Sequence, residues 1–583
     1  MTRRLTRKTA SKTRSKQPLT SPVRHWLTLG VIGSLFILMA GRALFLQVFN
    51  ADFLLERGNA QALRTIEAPA VRGMILDRNG QPLAVSTPVE AVCADPSKLY
   101  AAPESWKPLA KALGMKYATL KKRIKKNKDR HFVYLRRQVL PEKAEQVMAL
   151  DTDGVFLQRE YKRYYPMGSV TGHLVGFTNV DEKGLEGIEF AFDDYLRGHP
   201  GKDQVVRDAS GHIIEHVSNL KRATDGQDLV MTIDSRIQYL AYRELKRTVQ
   251  KNKAKSASAI VVDVTNGEIL AMVNEPVFNP NDRSQLRSSR FRNRSVTDNF
   301  EPGSTVKPLT IAAALQNNYV NPDTVIETDT GRMKLARYTI KDTHDYGDLS
   351  VSHVIMKSSN VGAARIALQM DADDLWSLLN GVGFGRLPQS GLPGEAHGSL
   401  AHHSGWRKVK QATIGYGYGL SVTALQLAQA YATLANDGVS VPLTIIKRDS
   451  DVSGKRVISA KVARQVRGML ELAVSDKGTA RQARIPMYRV AGKTGTARKT
   501  EGKGYSTKRY TALFAGLAPV TRPRLAMVVV VNEPSEGKYY GGQVAAPVFA
   551  NVMTSAMRLL NVAPDDVPAG ALWVAANKTG ADK

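Results

Sequence analysis

The alternation of apolar and polar positions divides the chain into stretches of different character. An uncharged, largely apolar run covers residues 26–40 and continues to Val48 with only Arg42 charged. A helix needs ~20 residues to cross a bilayer, so residues 26–48 predict a membrane anchor in which Arg42 snorkels to the outer interface. From Asn50 to about Gln227, short extended pieces alternate with charged helical pieces. The basic stretch at 117–128 reads as a solvated face. Over 256–273, two apolar strands flank Asn266-Gly267, a strong hairpin signal. Helical segments follow to about Asp437, and strands return at 488–492, 510–518 and 524–531. Strands, then helices, then strands predict an α+β domain, an antiparallel sheet flanked by helices, beginning near Asp228.

Charge sets the orientation. Residues 1–25 hold eight Lys or Arg and no acid, which predicts a disordered tail on the cytoplasmic side. Everything after Val48 then faces outward. A cleaved signal peptide is the competing reading, but the apolar character runs on through Ala43-Leu44-Phe45-Leu46 without a clean cleavage site. The domain limits are therefore 1–25 tail, 26–48 anchor, 49–227 non-catalytic module, 228–564 catalytic domain and 565–583 an Ala- and Gly-rich, mobile tail. A net charge of +29 invites nucleic acid as a partner, yet no nucleic-acid motif accompanies it. Anionic membrane lipid and wall polymers are the plainer partners. The lone Cys93 excludes an intrachain disulfide and reads as a small buried residue.

Three polar motifs carry the chemistry. They are Ser304-Thr305-Val306-Lys307, Ser358-Ser359-Asn360 and Lys493-Thr494-Gly495, separated by 54 and then 135 residues. Ser304 follows Pro302-Gly303 at the opening of a helix, where residues three apart share a face, so its hydroxyl and the Lys307 amine can meet. A serine hydroxyl needs a base to take its proton, and Lys307 serves only when neutral. Lowering a lysine from ~10.4 to about 7 takes roughly 4 kcal/mol, which burial and a second cation, Lys493, can supply. A loop between two helices would present Ser358 as a proton relay and Asn360 as a holder of substrate amide. Lys493 is placed at the end of the 488–492 run, with Gly495 allowing a substrate to lie along the strand edge. Backbone N–H groups of Ser304 and Thr496 form the expected oxyanion hole, and Thr494, Thr496 and Arg498 the expected carboxylate site.

This set is shared by class A β-lactamases and penicillin-binding proteins. With Arg72-Gly73-Met74-Ile75-Leu76-Asp77-Arg78-Asn79-Gly80, Glu301-Pro302-Gly303, Gly415-Tyr416-Gly417-Tyr418-Gly419-Leu420 and Gly537-Lys538-Tyr539-Tyr540-Gly541-Gly542, the chain resembles class B penicillin-binding proteins of the septal, cell-division type. The resemblance runs from about Gly41 to about Pro564. It implies that Ser304 is acylated by a D-Ala-D-Ala stem peptide or a β-lactam and passes the acyl group to the amine of a second stem peptide. It also places Tyr416, Tyr418, Tyr540 and Arg498 near the substrate cleft, while Gly415 stands where the family usually has serine. Gly184-Leu185-Glu186-Gly187-Ile188-Glu189 resembles the family's pedestal module. Without a glycosyltransferase signature, polymerisation falls to a partner, by resemblance a polytopic polymerase of the SEDS type acting with other division proteins. The implied location is the bacterial inner membrane at the septum.

Other motif matches read as decoys. Ser535-Glu536-Gly537-Lys538 sits among turn residues. His212-Ile213-Ile214-Glu215-His216 matches a zinc pattern, but its isoleucines favour a strand, where the two histidines stand about 13 Å apart. His344-Asp345 and His402-His403 read as loop residues. No metal or cofactor is called for. The rival functions are an elongation-type transpeptidase, a serine β-lactamase and a non-catalytic division scaffold.

Overall fold

A computed structural model describes residues 22–50, 63–207, 213–286, 288–448, 450, 452–501 and 504–567. Pro22–Leu44 is an α-helix whose axis continues through a wider turn at Phe45–Phe49. It is long and apolar enough to cross a membrane, and none of its residues is buried by the rest of the protein. The Arg42 guanidinium lies over the Phe45 ring at 5.7 Å, near the helix end that follows the apolar run.

In the N-terminal module, strands Leu63–Ala68, Gly201–Arg207 and Ile213–Lys221 form an antiparallel sheet. The strand at Ile213–Lys221 agrees with the reading of the histidine pair as extended, although His212 lies outside the described residues. A long strand, Pro82–Ala94, pairs with Val133–Val139 and Val155–Tyr164. Helices pack on it through Leu99, Trp106, Leu109, Leu113, Leu120 and Ile124. The last two belong to the basic helix Tyr117–Lys126, which buries one apolar stripe and leaves its lysines in water. Cys93 is buried.

A buried ion network holds the part of this module nearest the catalytic domain. Arg72 pairs with Glu189 at 2.7 Å and with Asp193 at 2.8 Å, and Arg163 pairs with Glu189 at 2.6 Å. Each carboxylate satisfies a guanidinium, so removing one partner strands a buried charge. Just after Arg72, Asp77 accepts from the Ser235 hydroxyl at 2.7 Å, at the start of helix α1 (Ser235–Lys251). The run from Arg72 to Gly80 thus joins the two halves.

The catalytic domain is built on β1 (Ser256–Asp263) and β2 (Ile269–Glu275), antiparallel around a turn in which Gly267 has φ +76°. Helices α2 (Lys307–Gln316), α3 (Val351–Lys357), α4 (Asn360–Gln369), α5 (Lys408–Gly415), α6 (Ala424–Ala435) and α7 (Ala460–Val474) come next. The chain then returns as β3 (Ala491–Glu501), β4 (Gly504–Ala518) and β5 (Leu525–Asn532), and α8 (Ala546–Leu559) follows. The sheet order is β2-β1-β5-β4-β3, all antiparallel.

Strand side chains alternate between two cores, so the sheet is buried on both faces. Ile260 and Val262 face the cluster holding Leu309, Ile311 and Leu425. Ala259 and Val261 face α1 and α8 through Ile237, Leu245, Phe549 and Val552. The first cluster also takes in Ile75, Leu83 and Leu174, making one core across the join. Beyond Pro564 the chain is still tied down. Asp565 accepts from Arg489 N at 2.7 Å and Thr521 Oγ1 at 2.9 Å, so mobility is not a property of the tail's first residues.

Candidate active site

The nucleophile's turn is fixed from several sides. Gly303–Val306 forms a 3₁₀ turn that leads directly into α2, whose first residue is Lys307. Thr305 Oγ1 caps Pro302 O at 2.7 Å, the buried Tyr431 hydroxyl on α6 donates to Thr305 O at 2.9 Å, and Gly303 N donates to Gly417 O at 3.0 Å. Gly417 has φ +91°, and a Cβ there would lie 1.9 Å from Gly303 O. We expect Gly417→Ala to displace the turn and slow penicillin acylation about 100-fold, measured by fluorescent labelling rates. An unchanged rate would show that the turn tolerates the shift.

The second motif divides its labour. Ser359, buried, caps α4 by accepting from Gly362 N at 2.8 Å. Ser358, between α3 and α4, takes the left-handed conformation at φ 61°, a costly choice for serine, and turns its hydroxyl toward the lysines. Asn360 opens α4, its amide nitrogen donating to Lys341 O at 2.9 Å. Asp342 holds this corner together. It accepts from the main-chain N–H groups of Asn360 and Val361 and, at 2.6 Å, from the Ser359 hydroxyl. A carboxylate at a helix N-terminus is stabilised by the exposed N–H groups there. Nothing in the sequence around Asp342 announced this role.

Lys307 and Lys493 are both fully buried. Lys307 Nζ lies 2.6 Å from Ser358 O, 2.8 Å from Asn360 Oδ1 and 3.3 Å from Ser358 Oγ. Lys493 Nζ lies 2.9 Å from Ser358 Oγ and 3.0 Å from Thr494 O. Ser358 therefore bridges the two amines. Burial and then the charge of Lys493 hold Lys307 well below the ordinary lysine range, against a weaker pull from Asp342. Burial pushes Lys493 down to about 7. A neutral Lys307 spends its two N–H donors on Ser358 O and Asn360 Oδ1, both pure acceptors, which leaves its lone pair able to take a proton, with the Ser358 hydroxyl as its third neighbour. The Ser304 hydroxyl, half-buried, makes no hydrogen bond among the described residues. The expected Ser304–Lys307 hydrogen bond is not formed, because the amine is drawn to the acceptors of the second motif.

The third motif starts a strand instead of ending one. Lys493 is the third residue of the eleven in β3, paired with Ala515. Gly492 and Gly495 weakened the strand signal there. They are needed for contact: a Cβ on Gly495 would lie 3.0 Å from Thr305 Cγ2. β3 is the sheet's edge, so its outer side is open for an extended peptide. Thr494 Oγ1 is 3.1 Å from Thr479 Oγ1, and Thr496 Oγ1 accepts from Gly541 N at 3.2 Å. Arg498 lies farther along the same strand, exposed.

Tyrosines gather around the far half of β3, where Tyr510 of β4 pairs with Arg498. Tyr539 stacks on Tyr510 at 4.5 Å, and its hydroxyl is 3.2 Å from that of Tyr540, which is exposed. Tyr418 meets Tyr505, on the same strand as Tyr510, edge-on at 5.4 Å. Tyr416 is half-buried against a cluster of Ile340, Val361, Ala364 and Ala412, and burial pushes its phenol up to about 12. Gly415 is not part of the wall. It ends α5, and a Cβ there would lie 2.5 Å from Ala367 Cβ, which explains why serine is absent. Ser535 donates to Lys253 O at 2.9 Å in a turn, so it pairs with no lysine amine. His402 and His403 pack on Trp376, and His344 lies beside Tyr346.

Two family models match the chain. A penicillin binding protein transpeptidase domain covers residues 257–554, and a penicillin-binding protein dimerisation domain covers residues 67–231. The chain belongs to the penicillin-binding transpeptidases. Among curated proteins, this transpeptidase is 43% identical over 555 residues to the Escherichia coli peptidoglycan D,D-transpeptidase FtsI, covering 94% of this chain and 93% of that one. It is similar to the transpeptidase domain of Burkholderia pseudomallei penicillin-binding protein 3, at 45% identity and a TM-score of 0.54 over 57% of this chain and 97% of that one. Its likeness to Mycobacterium tuberculosis penicillin-binding protein 3 complexed with aztreonam spans 86% of this chain and 99% of that one, at 28% identity and a TM-score of 0.67. The α+β fold expected from the sequence is the fold observed.

Proposed function

We propose that this transpeptidase cross-links peptidoglycan stem peptides of the septal wall through an acyl group carried on Ser304. The observation that carries the reading is the buried Lys307 amine, held by Ser358 O and Asn360 Oδ1 on the residue that directly follows the nucleophile's turn. Lys307 takes the Ser304 proton as Oγ attacks the D-Ala-D-Ala carbonyl. Ser358, bridging Lys307 and Lys493, passes a proton to the departing D-alanine amine. The N–H groups of Ser304 and Thr496 receive the oxyanion, and Asn360 the peptide amide. Thr494, Thr496 and Arg498 hold the terminal carboxylate, with Tyr416, Tyr418 and Tyr540 along the cleft. A β-lactam enters as an analogue of the same peptide and stays on Ser304.

The limits 1–25, 26–48, 49–227, 228–564 and 565–583 are our domain assignment. The first apolar helix anchors the chain in the inner membrane, with the catalytic domain in the periplasm at the septum. A SEDS-type glycosyltransferase and other division proteins supply the glycan strands and the position. Two measurements test this. Fluorescent penicillin on the full-length chain gives a label stable for hours, whereas release within seconds would identify a β-lactamase. Depletion blocks division and leaves filaments; loss of rod shape with lateral-wall localisation would instead assign the chain to elongation.

A further inference from the structure

Pro308 leaves a gap in the hydrogen bonding just after the nucleophile. Its ring nitrogen carries no hydrogen, so it donates to no carbonyl. In the 3₁₀ turn Gly303–Val306 each N–H reaches the carbonyl three residues back, and Lys307 N closes the last of these bonds on Ser304 O. The next carbonyl in that series is Thr305 O, and its donor would be residue 308. The α-helical ladder offers no replacement, because α2 starts at Lys307 and Val306 O is the first carbonyl it uses. Thr305 is fully buried, so bulk water cannot serve it, and a buried carbonyl without a donor is costly.

The missing donor comes from 126 positions away, where Tyr431 on α6 donates its hydroxyl to Thr305 O at 2.9 Å. Tyr431 is fully buried, and burial pushes its phenol up, so it keeps its proton and remains a donor. Other supports of this segment act ahead of Ser304. Glu301 accepts from Gly419 N and the Tyr505 hydroxyl, Pro302 O accepts from Thr305 Oγ1, and Gly303 N donates to Gly417 O. Among the described residues, Tyr431 is the one side chain of another element that hydrogen-bonds the two residues between Ser304 and Lys307. The shape of that turn bears on the chemistry. Residues three apart eclipse in a 3₁₀ turn, which sets Ser304 in line with Lys307. In an α-helix, at about 3.6 residues per turn, the same pair stands about 60° out of line. Without the Tyr431 hydroxyl, the next N–H available to Thr305 O is that of Leu309, and reaching it winds the turn toward α-helical geometry.

We propose that Tyr431 is a positioning residue for acyl transfer, its hydroxyl standing in for the N–H that Pro308 lacks and holding the nucleophile's turn tight, with Ser304 in line with Lys307. Tyr431 touches neither the substrate nor the reacting atoms. The inference rests on the transpeptidase reading and adds to it a residue that lies outside all three motifs.

The test follows acylation of the full-length chain in detergent by a fluorescent penicillin across drug concentrations, which separates the dissociation constant of the encounter from the acylation rate constant. Tyr431→Phe keeps the ring and removes the hydroxyl. Its acylation rate constant falls about 30-fold, within what a misplacement of under an ångström can do, while the dissociation constant stays within about twofold. Replacing Tyr431 by para-aminophenylalanine puts a donor back at the same place and returns the rate constant to within about threefold of the unaltered protein. Thr433→Val removes a buried hydroxyl of the same helix, one that donates to Gln429 O within α6, and leaves both constants within about twofold. Rates are taken on the fraction of protein that finally takes label, so a variant that folds less well loses amplitude and not rate. An unchanged rate constant in Tyr431→Phe overturns the proposal. So does an equal fall in Thr433→Val, which would make the effect one of helix stability. A para-aminophenylalanine protein as slow as Tyr431→Phe also overturns it, by assigning the effect to ring packing. Labelling of the unaltered protein, and its loss in Ser304→Ala, tests the transpeptidase reading separately.

Discussion

Ser304→Ala eliminates covalent labelling by penicillin and all cross-linking activity, a loss of about 10⁵-fold or more, because no other group can carry the acyl chain. The same substitution leaves the fold untouched. The Ser304 hydroxyl is half-buried and makes no hydrogen bond among the described residues, so its removal strands no partner. The turn that carries it is held by main-chain and neighbouring contacts at Thr305, Gly303 and Tyr431, none of which involves the hydroxyl. A stability change within about 0.5 kcal/mol is expected, as for a surface substitution. Thermal unfolding and labelling of the two proteins side by side check both halves. A depletion strain adds the biological arm. Rescue of division by Ser304→Ala would mean that the chain works as a scaffold, whatever its site can do in solution.

The legible parts of the site were those whose chemistry sits in adjacent residues. Ser304 and Lys307, Ser358 and Asn360, Lys493 and Gly495 each fall within four positions, so a local reading finds them, and the structure brings Lys307, Ser358, Asn360 and Lys493 within hydrogen-bonding distance. What stayed hidden depends on residues far apart in sequence. Asp342 acts on Asn360 from 18 positions away, from the end of a hairpin formed by Arg332–Leu335 and Tyr338–Lys341. Tyr505 reaches Glu301 across 204 positions. Nor does the pattern say that Ser359 serves the helix while Ser358 serves the chemistry, because that division is made by one residue in the left-handed region.

The fold shows the same contrast. The hairpin at β1 and β2 was readable because alternation and an Asn-Gly turn are local signals. The start of β3 was not, since Gly492 and Gly495 lack the side chains by which strands are recognised, and tertiary closeness to Phe514 and Thr305 demands them. The ion network of Arg72, Arg163, Glu189 and Asp193 draws together residues up to 121 positions apart, and no periodicity encodes it. Its partners look like ordinary surface charges until the fold buries them.

Lys307→Met should lower the penicillin acylation rate by about 10³- to 10⁴-fold, the range for losing a positioned general base. The methionine fills much of the lysine's volume, but Ser358 O and Asn360 Oδ1 lose their donor, so the corner between α3 and α4 also loosens. Measuring pH dependence separates the two effects. In the unaltered protein the acylation rate rises with pH as Lys307 gives up its proton and then levels. Lys493 is charged below about 7, and that charge is one of the causes holding Lys307 down. Removing it in Lys493→Met takes away a repulsion that disfavours protonated Lys307, so the Lys307 value rises. The acid limb of the profile therefore moves to higher pH, in addition to any fall in the plateau. A damaged site without this coupling would lower the plateau and leave the limb in place. A limb that moves to lower pH would reverse the assignment, making Lys493 the proton acceptor and Lys307 the charge that tunes it.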